Sequence, residues 1–473
     1  MARDKPSQEL NRVVFEGDNL EVLRGVNSNS MDLIYLDPPF NSNKVYEAPV
    51  GSRAAGAAFK DAWTLSDVDL IEHNRLKREH EWLYALIHAA QRTHSKGMFS
   101  YLMMMSPRLF ELRRVLKATG SIYLHCDPTA SHYLKLVMDG IFGSGNFRNE
   151  IAWERTTGRK AGKQYGRAHD VILFYTKSQN NVWNAPTVPQ SEESVRGHDL
   201  MRDRGGLYRM SDFSGAGPGP ARRFGDREIE PPVGRHWMFD QQGVDRLMNE
   251  GRIAFSRNGR PRLKTYLKGL PGVAVRDIWA DIDPINAAAQ ERIGFPTQKP
   301  LALLDRIIKA SSKEGDMVLD PFCGCATTLV SAEFLNRQWC GIDLSRKAAE
   351  LVVQRIREKQ DMISFTDFRH AIDMPIRTDM ERKKASTAKE RRELKNRLYD
   401  DQEGRCNLCR HEMGGIQHFE MDHIVPRAKG GQDWVDNFQL LCANCNRIKG
   451  QGSQEAARAK IAKYMGMNFA VFE

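Results

Sequence analysis

The sequence lacks any apolar segment long enough to cross a membrane. No run of about 18 apolar residues occurs in it, and the first residues, MARDKPSQELNR, contain no apolar stretch of the kind that secretory signals carry. Neither an integral membrane protein nor a secreted one is therefore expected. We expect a cytoplasmic protein with no membrane partner.

Cysteine is scarce, with 8 residues in 473, and its placement does not suggest a disulfide framework. Four cysteines stand in apolar, strand-like contexts and are expected to be reduced core thiols: Cys126, Cys323, Cys325 and Cys340. The other four form two C-x-x-C pairs near the C-terminus: Cys406 with Cys409, and Cys442 with Cys445. That spacing is typical of a metal site.

Acidic residues are outnumbered by basic ones. The chain has 70 Lys and Arg against 60 Asp and Glu, which gives a formal charge of +10 and favours a polyanionic partner. The composition, 41% hydrophobic and 27% charged, is that of a globular protein. A chain of 473 residues exceeds one compact core, so two or three domains are expected.

The most informative stretch is MDLIYLDPPF, residues 31–40. Its apolar run, 33–36, predicts a buried parallel strand that ends at Asp37. Pro38 and Pro39 have no N–H for a strand ladder, so the strand stops there and a stiff loop begins. Phe40 adds an aromatic face. In open α/β folds such a strand end lies at the edge where ligands bind.

These residue types suit the activation of a nucleobase amine, whose lone pair is delocalised into the ring. A carboxylate (Asp37) and a fixed carbonyl (Pro38) can accept the two amine hydrogens and localise the lone pair. The ring of Phe40 can stack on a base that has left the duplex. The alternative interpretation is a buried strand that ends in an ordinary turn.

A nucleotide-type βαβ unit follows much later in the chain. Residues 317–319 predict a strand ending at Asp320, a loop of small residues opens a helix at Thr327, and a second strand ends at Asp343. Asp343 comes 23 residues after Asp320, about where a ribose-binding carboxylate is expected. Near the N-terminus, Asp18 follows another short strand and is placed to cap the helix after it.

The motifs D-P-P-F (37–40), T-Q-K-P (297–300) and D-P-F-C-G-C-A-T-T (320–328), with G-I-D-L after them, resemble those of β-type, permuted DNA amino-methyltransferases. The resemblance covers residues 13–370. It implies an α/β fold with a Rossmann-like, permuted methyltransferase sheet, S-adenosyl-L-methionine as cofactor and double-stranded DNA as partner. An aspartate before P-P with phenylalanine after it resembles the adenine-N6 type more than the cytosine-N4 type.

The resemblance also implies roles for particular residues. The catalytic residues would be Asp37, Pro38, Pro39 and Phe40, and the cofactor-binding residues Asp18, Lys299, Asp320, Phe322, Gly324 and Asp343. The family usually has glycine where this chain has Ala326, and we expect only a slightly tighter contact there. Dimerisation is common in the family, so a homodimer is one expected state.

Between the two catalytic halves, residues 178–290 interleave Arg, Gly, Pro and aromatic residues with weak periodicity. Basic residues beside aromatic ones suit phosphate contact and base reading. Target recognition is inserted at this position in the resembled family, so a target-recognition region is expected. The alternative is an irregular insertion with a solvated face.

The C-terminal residues have a different character. Four cysteine thiolates favour a closed tetrahedral zinc that stabilises a small module. With Asp422-His423, Gly430-Gly431, Asn437 and Asn446, the segment 406–449 resembles the four-cysteine branch of the HNH nucleases, a ββα-metal fold.

This second resemblance implies that His423 is a general base and that Asn437 orients its loop. Asp422 and Asn446 would hold one divalent cation, Mg²⁺ or another. The last ligand is often histidine in the family, so Asn446 leaves the metal affinity open. The alternative is an inert DNA-binding zinc module.

We therefore expect a methyltransferase at 1–371, a basic linker at 372–398 and an HNH endonuclease at 399–473. A site-specific adenine methyltransferase fused to a DNA endonuclease fits restriction–modification or a related defence role. Three alternatives stay open: a methylation-dependent nuclease that uses the methyltransferase domain as reader, a cytosine-N4 methyltransferase, and an inactive DNA-binding protein.

Overall fold

The computed structural model describes residues 8–40, 44–49, 52–55, 58–61, 69–156, 163–188, 200–266, 272–286, 288–360, 367–380 and 383–465. By their contacts the residues form two units. One consists of Met1–Asn184 with Asp277–Glu473, and the other of Ala185–Arg276. Within the described ranges, no helix combines the length and apolarity that crossing a membrane requires.

The first unit begins with strands and helices in alternation. The strands are β1 (Val13–Glu16), β2 (Met31–Leu36), β3 (Lys44–Glu47), β4 (Ala58–Asp61), β5 (Leu116–Cys126), β6 (Phe147–Glu154) and β7 (His169–Thr176). The helices are α1 (Asn19–Gly25), α2 (Leu70–Glu79), α3 (Glu81–Thr93), α4 (Lys96–Val115) and α5 (Ser131–Phe142).

The second unit is a small, mostly β region. It contains β8 (Thr187–Val188), β9 (Leu200–Asp203), β10 (Gly206–Ser211), β11 (Ser214–Ala216), β12 (Arg222–Phe224), β13 (Arg227–Ile229), β14 (Arg235–Trp237), α6 (Gln241–Asn249), β15 (Ile253–Phe255), β16 (Pro261–Tyr266) and β17 (Val273–Ala274). An apolar cluster around Phe213, Phe224 and Trp237 forms its core. The weak periodicity of this segment therefore conceals short strands around a compact core.

The chain then returns to the first unit. Its elements are β18 (Ile278–Trp279), α7 (Leu301–Ser311), β19 (Met317–Asp320), α8 (Thr327–Phe334), β20 (Gln338–Asp343), α9 (Arg346–Gln360) and β21 (Arg369–Ala371). The C-terminal module adds α10 (Ala388–Asp401), β22 (Phe419–His423), β23 (Phe438–Cys442), α11 (Ala443–Lys449) and α12 (Gln454–Met465).

One sheet organises the first unit. Among the described residues it has nine strands in the order β18-β6-β7-β5-β2-β19-β20-β1-β21. Strand β7 runs antiparallel to both neighbours, and the pairs from β5 to β21 are parallel. Strands β2 and β19 lie side by side, with Leu33 opposite Val318. The strands leading to Asp37 and Asp320 are therefore neighbours.

The strands are apolar because helices cover both faces of a parallel sheet. Every residue of β2 is buried, and Leu33, Ile34 and Leu36 are fully so. Helix α4, with Met103–Met105 buried, packs into the same core. The core fixes the strands, and their carboxyl ends carry the polar residues.

The C-terminal module is a ββα unit. Strands β22 and β23 pair antiparallel and α11 follows directly. Its apolar cluster includes Leu394 and Leu398 of α10 and Ile461 of α12, together with all four cysteines of the C-x-x-C pairs. Helix α10, which begins in the segment expected to be a basic linker and ends beyond it, therefore packs one face on this module.

Candidate active sites

The carboxyl ends of β1, β2, β19 and β20 meet at one edge of the sheet. A cavity of about 1070 Å³ opens there, and Asp18, Asp37, Asp320 and Asp343 all line it. Ligand pockets usually measure about 300 to 1,000 Å³, so this cavity has room for more than one small molecule. The structure thus brings the N-terminal and C-terminal candidate residues to one site.

The carboxylate of Asp37 is held on one side and open on the other. Its Oδ2 lies 2.5 Å from Nζ of Lys299. Its Oδ1 is buried and has no hydrogen-bond partner among the described residues. An acceptor in this state suits a ligand that brings an N–H group. Lys299, expected among the cofactor-binding residues, lines the cavity and contacts Asp37, and its Nζ lies 5.3 Å from the ring centre of Phe40.

Backbone N–H groups of two loops donate hydrogen bonds to Asp320 and Asp343. Asp320 Oδ1 accepts a hydrogen bond from Phe322 N at 3.1 Å. The two oxygens of Asp343 accept from Gly324 N and Ser345 N, each at 2.8 Å. The loop after β19 is therefore joined to the end of β20 by a hydrogen bond from Gly324 to Asp343.

The electrostatics of this edge favour a cation. Burial, together with repulsion from Asp37 and Asp343, raises the pKa of Asp320 to about 7. Burial also raises the pKa of Asp343. Three carboxylates therefore line one cavity, and a ligand that carries positive charge relieves the repulsion on Asp320. The sulfonium and ammonium groups of S-adenosyl-L-methionine fit this donor set.

The small-residue loop needs left-handed backbone at two positions. Gly324 has φ of 47° and Ala326 has φ of 61°. An alanine in this region is strained by roughly 1 to 2 kcal/mol. The usual glycine at position 326 is thus explained by backbone conformation, whereas the sequence had led us to expect only a tighter contact.

Asp18 caps α1, as one of its two expected roles required. It accepts from Leu20 N at 2.8 Å, and Nη2 of Arg108 lies 2.9 and 2.7 Å from its two oxygens. Its side chain is 29% exposed and faces the cavity. Contact with the adenine of the cofactor, the other expected role, stays a prediction.

The four cysteines of the C-x-x-C pairs form a metal-ready cluster. The Sγ atoms of Cys406, Cys409, Cys442 and Cys445 all lie within 4.8 Å of one another. Cys409 Sγ and Cys442 Sγ are 3.9 Å apart. A tetrahedral zinc with Zn–S bonds of about 2.3 Å sets its sulfurs about 3.8 Å apart, so the cluster fits zinc. The remaining cysteines are buried free thiols, as expected.

His423 ends β22 and is held by an acid that the sequence did not single out. Its Nε2 lies 2.8 Å from Oδ1 of Asp433. Hydrogen bonds from Arg427 and His423 lower the pKa of Asp433 to about 2. Arg391 of α10 also contacts Asp433, at 2.9 Å. Nδ1 of the His423 imidazole is therefore available to another partner.

Asn437 orients the loop that follows His423. Its amide nitrogen donates to the carbonyl oxygens of Val425 at 3.1 Å and Gln432 at 2.9 Å. Its Oδ1 accepts from Val425 N at 2.9 Å. These three bonds fit the positioning role that the sequence implies.

The expected ligands of the nuclease metal lie on facing surfaces of β22 and α11. Asn446 donates to Glu420, and Nζ of the buried Lys449 lies 2.9 Å from Asp422 Oδ2. Gln439 donates to the same oxygen at 2.9 Å. The oxygen donors suit Mg²⁺, although Lys449 already offsets part of the charge of Asp422.

The C-terminal module packs beside the edge of the sheet that carries Asp37 and Asp320. Ile424, Lys429 and Arg458 line the same cavity as Asp37 and Asp320. Arg458 also forms an ion pair with Asp69, the residue that caps α2. The two predicted active sites are therefore close within one unit of the protein.

Several residues at these sites escaped the sequence analysis. Asp433 comes two residues after Gly430-Gly431, and an acid so close to the motif was a usable signal. Lys449 ends the HNH-like segment, but nothing in the sequence assigned it to Asp422. Arg108 lies within a helical pattern that gave no sign of its contact with Asp18.

Comparison with known families supports both modules. A family model described as a DNA methylase of the N6/N4 type matches residues 31–354. A second model, the HNH endonuclease, matches residues 406–452.

Curated relatives match the methylase part. The chain is 29% identical over 351 residues to the type II methyltransferase M.EcaI of Enterobacter cloacae, covering 74% of this chain and 67% of that protein. It is 28% identical over 371 residues to the type III restriction-modification enzyme StyLTI Mod subunit of Salmonella typhimurium, covering 72% and 52%. It is 24% identical over 346 residues to the DNA adenine methyltransferase YhdJ of Escherichia coli, covering 73% and 82%.

Solved structures give weaker matches. M1.HpyAVI in complex with SAM matches with a TM-score of 0.34 and 13% identity, covering 73% of this chain and 98% of that chain. The cytosine-N4-specific PvuII DNA methyltransferase matches with a TM-score of 0.34 and 12% identity, covering 77% and 92%.

We expect one zinc ion per chain, bound by the four clustered cysteines. A chelator should unfold the C-terminal module, because a module this small depends on its metal, and leave the large sheet folded. Metal analysis gives the stoichiometry, and hydrogen exchange reports each region separately. Cys409→Ser should lose the ion, whereas Cys126→Ala, a buried cysteine outside the cluster, should keep it. A zinc-free protein with a protected module would contradict the assignment.

Proposed function

The chain belongs to the DNA methylase family and carries an HNH endonuclease module, and from this premise we propose that it methylates adenine N6 in double-stranded DNA and cuts DNA. The observation that carries the first activity is the free Oδ1 of Asp37 in a cavity shared with Asp320 and Asp343. It provides an acceptor for an amine beside a cluster of acids that fits a cationic methyl donor.

At the methylation site Asp37 activates the amine. Oδ1 accepts a hydrogen from the exocyclic amine and draws the lone pair out of the ring, and the Pro38 carbonyl accepts the second hydrogen. Lys299 keeps the carboxylate in place through Oδ2. Phe40 stacks on the extruded base. As the amine nitrogen gains a methyl group it loses a proton, which Asp37 can receive.

S-adenosyl-L-methionine supplies an electrophilic methyl group on a sulfonium centre when it is bound. Asp320 and Asp343 would hold its positively charged and ribose portions, and Phe322 and Gly324 shape the loop against it. Asp18 lies at the same edge of the cavity. These positions agree with the roles that the sequence motifs imply.

Adenine is the proposed base for two reasons. The catalytic loop has an aspartate before Pro38-Pro39 and an aromatic after it, which resembles the adenine type. YhdJ, one of the relatives, is a DNA adenine methyltransferase. One relative is the Mod subunit of a type III restriction-modification enzyme, so we propose that role for this chain, with methylation marking the DNA that its nuclease leaves uncut.

At the nuclease site His423 would take a proton from the attacking water through Nδ1, while Asp433 holds Nε2. A divalent cation, Mg²⁺ or another, would be held by Asp422 and Asn446 and would stabilise charge on the scissile phosphate. Asn437 keeps the loop after His423 in position. Glu420, which contacts Asn446, is a further oxygen donor at this surface.

Asp37→Ala should lower methylation at least about 100-fold, since loss of one preorganised polar group costs about that much. Methylome sequencing of an expressing host should show one modified motif with the parent protein and none with the variant. The matched control is Asp127→Asn. Asp127 also precedes a proline at a strand end, but it is not one of the described residues that line the cavity. Full modification by Asp37→Ala would rule out the assigned role.

Affinity for S-adenosyl-L-methionine should fall as the pH drops below about 7. The pKa of Asp320 is raised to about 7, so at lower pH the free protein holds a proton there. A cationic donor binds the ionised form, and the dissociation constant should rise by up to about tenfold per pH unit. Calorimetry across this range measures the slope. Asp320→Asn should flatten it, and a dissociation constant that does not change with pH would refute the role of Asp320.

His423→Ala should lower cleavage of unmethylated DNA by at least about 100-fold in Mg²⁺ or Mn²⁺, because general bases contribute about that factor. Asp433→Ala should cost about tenfold, as expected for a group that orients the base. His411→Ala, an exposed histidine of the same module, is the control. The nuclease assignment is wrong if His423→Ala cuts DNA as fast as the parent.

A further inference from the structure

A buried chain of hydrogen bonds runs beneath the catalytic loop, across three neighbouring strands. Tyr35 of β2 has its hydroxyl 2.8 Å from Nδ1 of His125, which lies on β5. Asp170 of β7 has Oδ2 3.1 Å from Nε2 of the same ring. The exposed fractions are 2% for Tyr35, 0% for His125 and 1% for Asp170. The methylation mechanism above uses none of these groups.

The surroundings fix how this chain is protonated. Burial lowers the pKa of His125, so the ring is neutral at neutral pH. Burial opposes ionisation of Asp170, but the hydrogen bond from His125 and the nearby positive charges of Lys299 and Arg155 together outweigh it and lower the pKa of the carboxyl. The partners therefore assign Nε2–H as donor to Asp170 and Nδ1 as acceptor from Tyr35. Arg155, with Nε 3.2 Å from Asp170 Oδ1, offsets the remaining charge.

The locked imidazole faces Phe40. The two rings are stacked, with centroids 5.9 Å apart and an angle of 25° between their planes. Trp153 meets the imidazole edge-on from another direction, at 5.8 Å. Because Pro38 and Pro39 cannot donate backbone hydrogen bonds, packing beneath Phe40 has a large part in setting where its ring lies.

We propose that His125 is a positioning residue of the methylation site: held by Tyr35 and Asp170, it supports the Phe40 ring at the height where an extruded adenine stacks. The inference rests on the proposed methylation of an extruded base and adds a residue to it. A buried histidine in a strand is ordinarily a structural residue. Here the two hydrogen bonds of His125 and its contact with the Phe40 ring also make it a support for the catalytic loop.

The test uses the full-length chain and two duplexes that contain the motif. One keeps the target adenine, for turnover, and the other has 2-aminopurine in its place, for extrusion. Fluorescence of 2-aminopurine rises when the base leaves the stack and so reports extrusion directly. His125→Gln should lose about tenfold in turnover at saturating DNA, because stacking on an aromatic side chain contributes about this factor. Its extrusion signal should fall in parallel.

Two measurements separate positioning from a general loss of structure. Affinity of His125→Gln for S-adenosyl-L-methionine should stay at the parent value, because the donor acids lie on other strands. Circular dichroism should show that the variant is folded at the assay temperature. Tyr123→Phe is the matched control. It removes a buried hydrogen bond of the same strand, from Tyr123 to Ser311 at 2.6 Å, and should leave extrusion and turnover unchanged.

If His125→Gln does not fold, Tyr35→Phe is the test variant. It keeps the imidazole of His125 and removes one of the two hydrogen bonds that hold it. Its turnover and extrusion signal should fall about two- to tenfold, the range expected for one hydrogen bond. The inference is overturned if the variant that folds extrudes the base as well as the parent, if donor affinity falls to the same extent as extrusion, or if Tyr123→Phe loses as much. If the parent methylates no motif, the proposed function itself fails.

Discussion

The parallel pairing of β2 with β19 is the constraint on which the rest of the structure depends. It places Leu33 opposite Val318 and so brings the D-P-P-F loop beside the small-residue loop, although nearly the whole methylase sequence separates them. Parallel strands end at the same edge, so the amine acceptor and the donor acids share one cavity. A slip in this register would move each side chain of β2 to the opposite face of the sheet and displace the two loops relative to each other.

Charge is the second constraint at this edge. Burial disfavours ionisation of Asp320, and the nearby carboxylates of Asp37 and Asp343 add to the effect. Lys299 balances one of the three through Asp37. The remaining negative charge favours a cationic ligand. The site thus combines an acceptor for the substrate amine with a preference for a positively charged donor.

The sequence predicted the parts of the site that short patterns encode. Strand, acid and proline in a row predicted the loop at Asp37, and the spacing of Asp320 and Asp343 predicted their shared edge. The same patterns could not say where long side chains point, so the contact between Lys299 and Asp37 appeared only in the fold. The placement of the HNH module beside the cavity also depends on tertiary contacts, such as Asp69 with Arg458, which no local pattern encodes. The short strands after residue 185 escaped periodicity because most of them span two to four residues.

The central claim is that one chain marks DNA at the Asp37 site and spares the marked DNA from its own nuclease. The most direct measurement is cleavage by the parent protein of two DNA samples, purified from hosts expressing either His423→Ala alone or His423→Ala combined with Asp37→Ala. The first host methylates its DNA and the second does not. If methylation protects the DNA, the parent cuts only the DNA from the second host. Equal cutting of both samples, or cutting of the methylated sample alone, would contradict it.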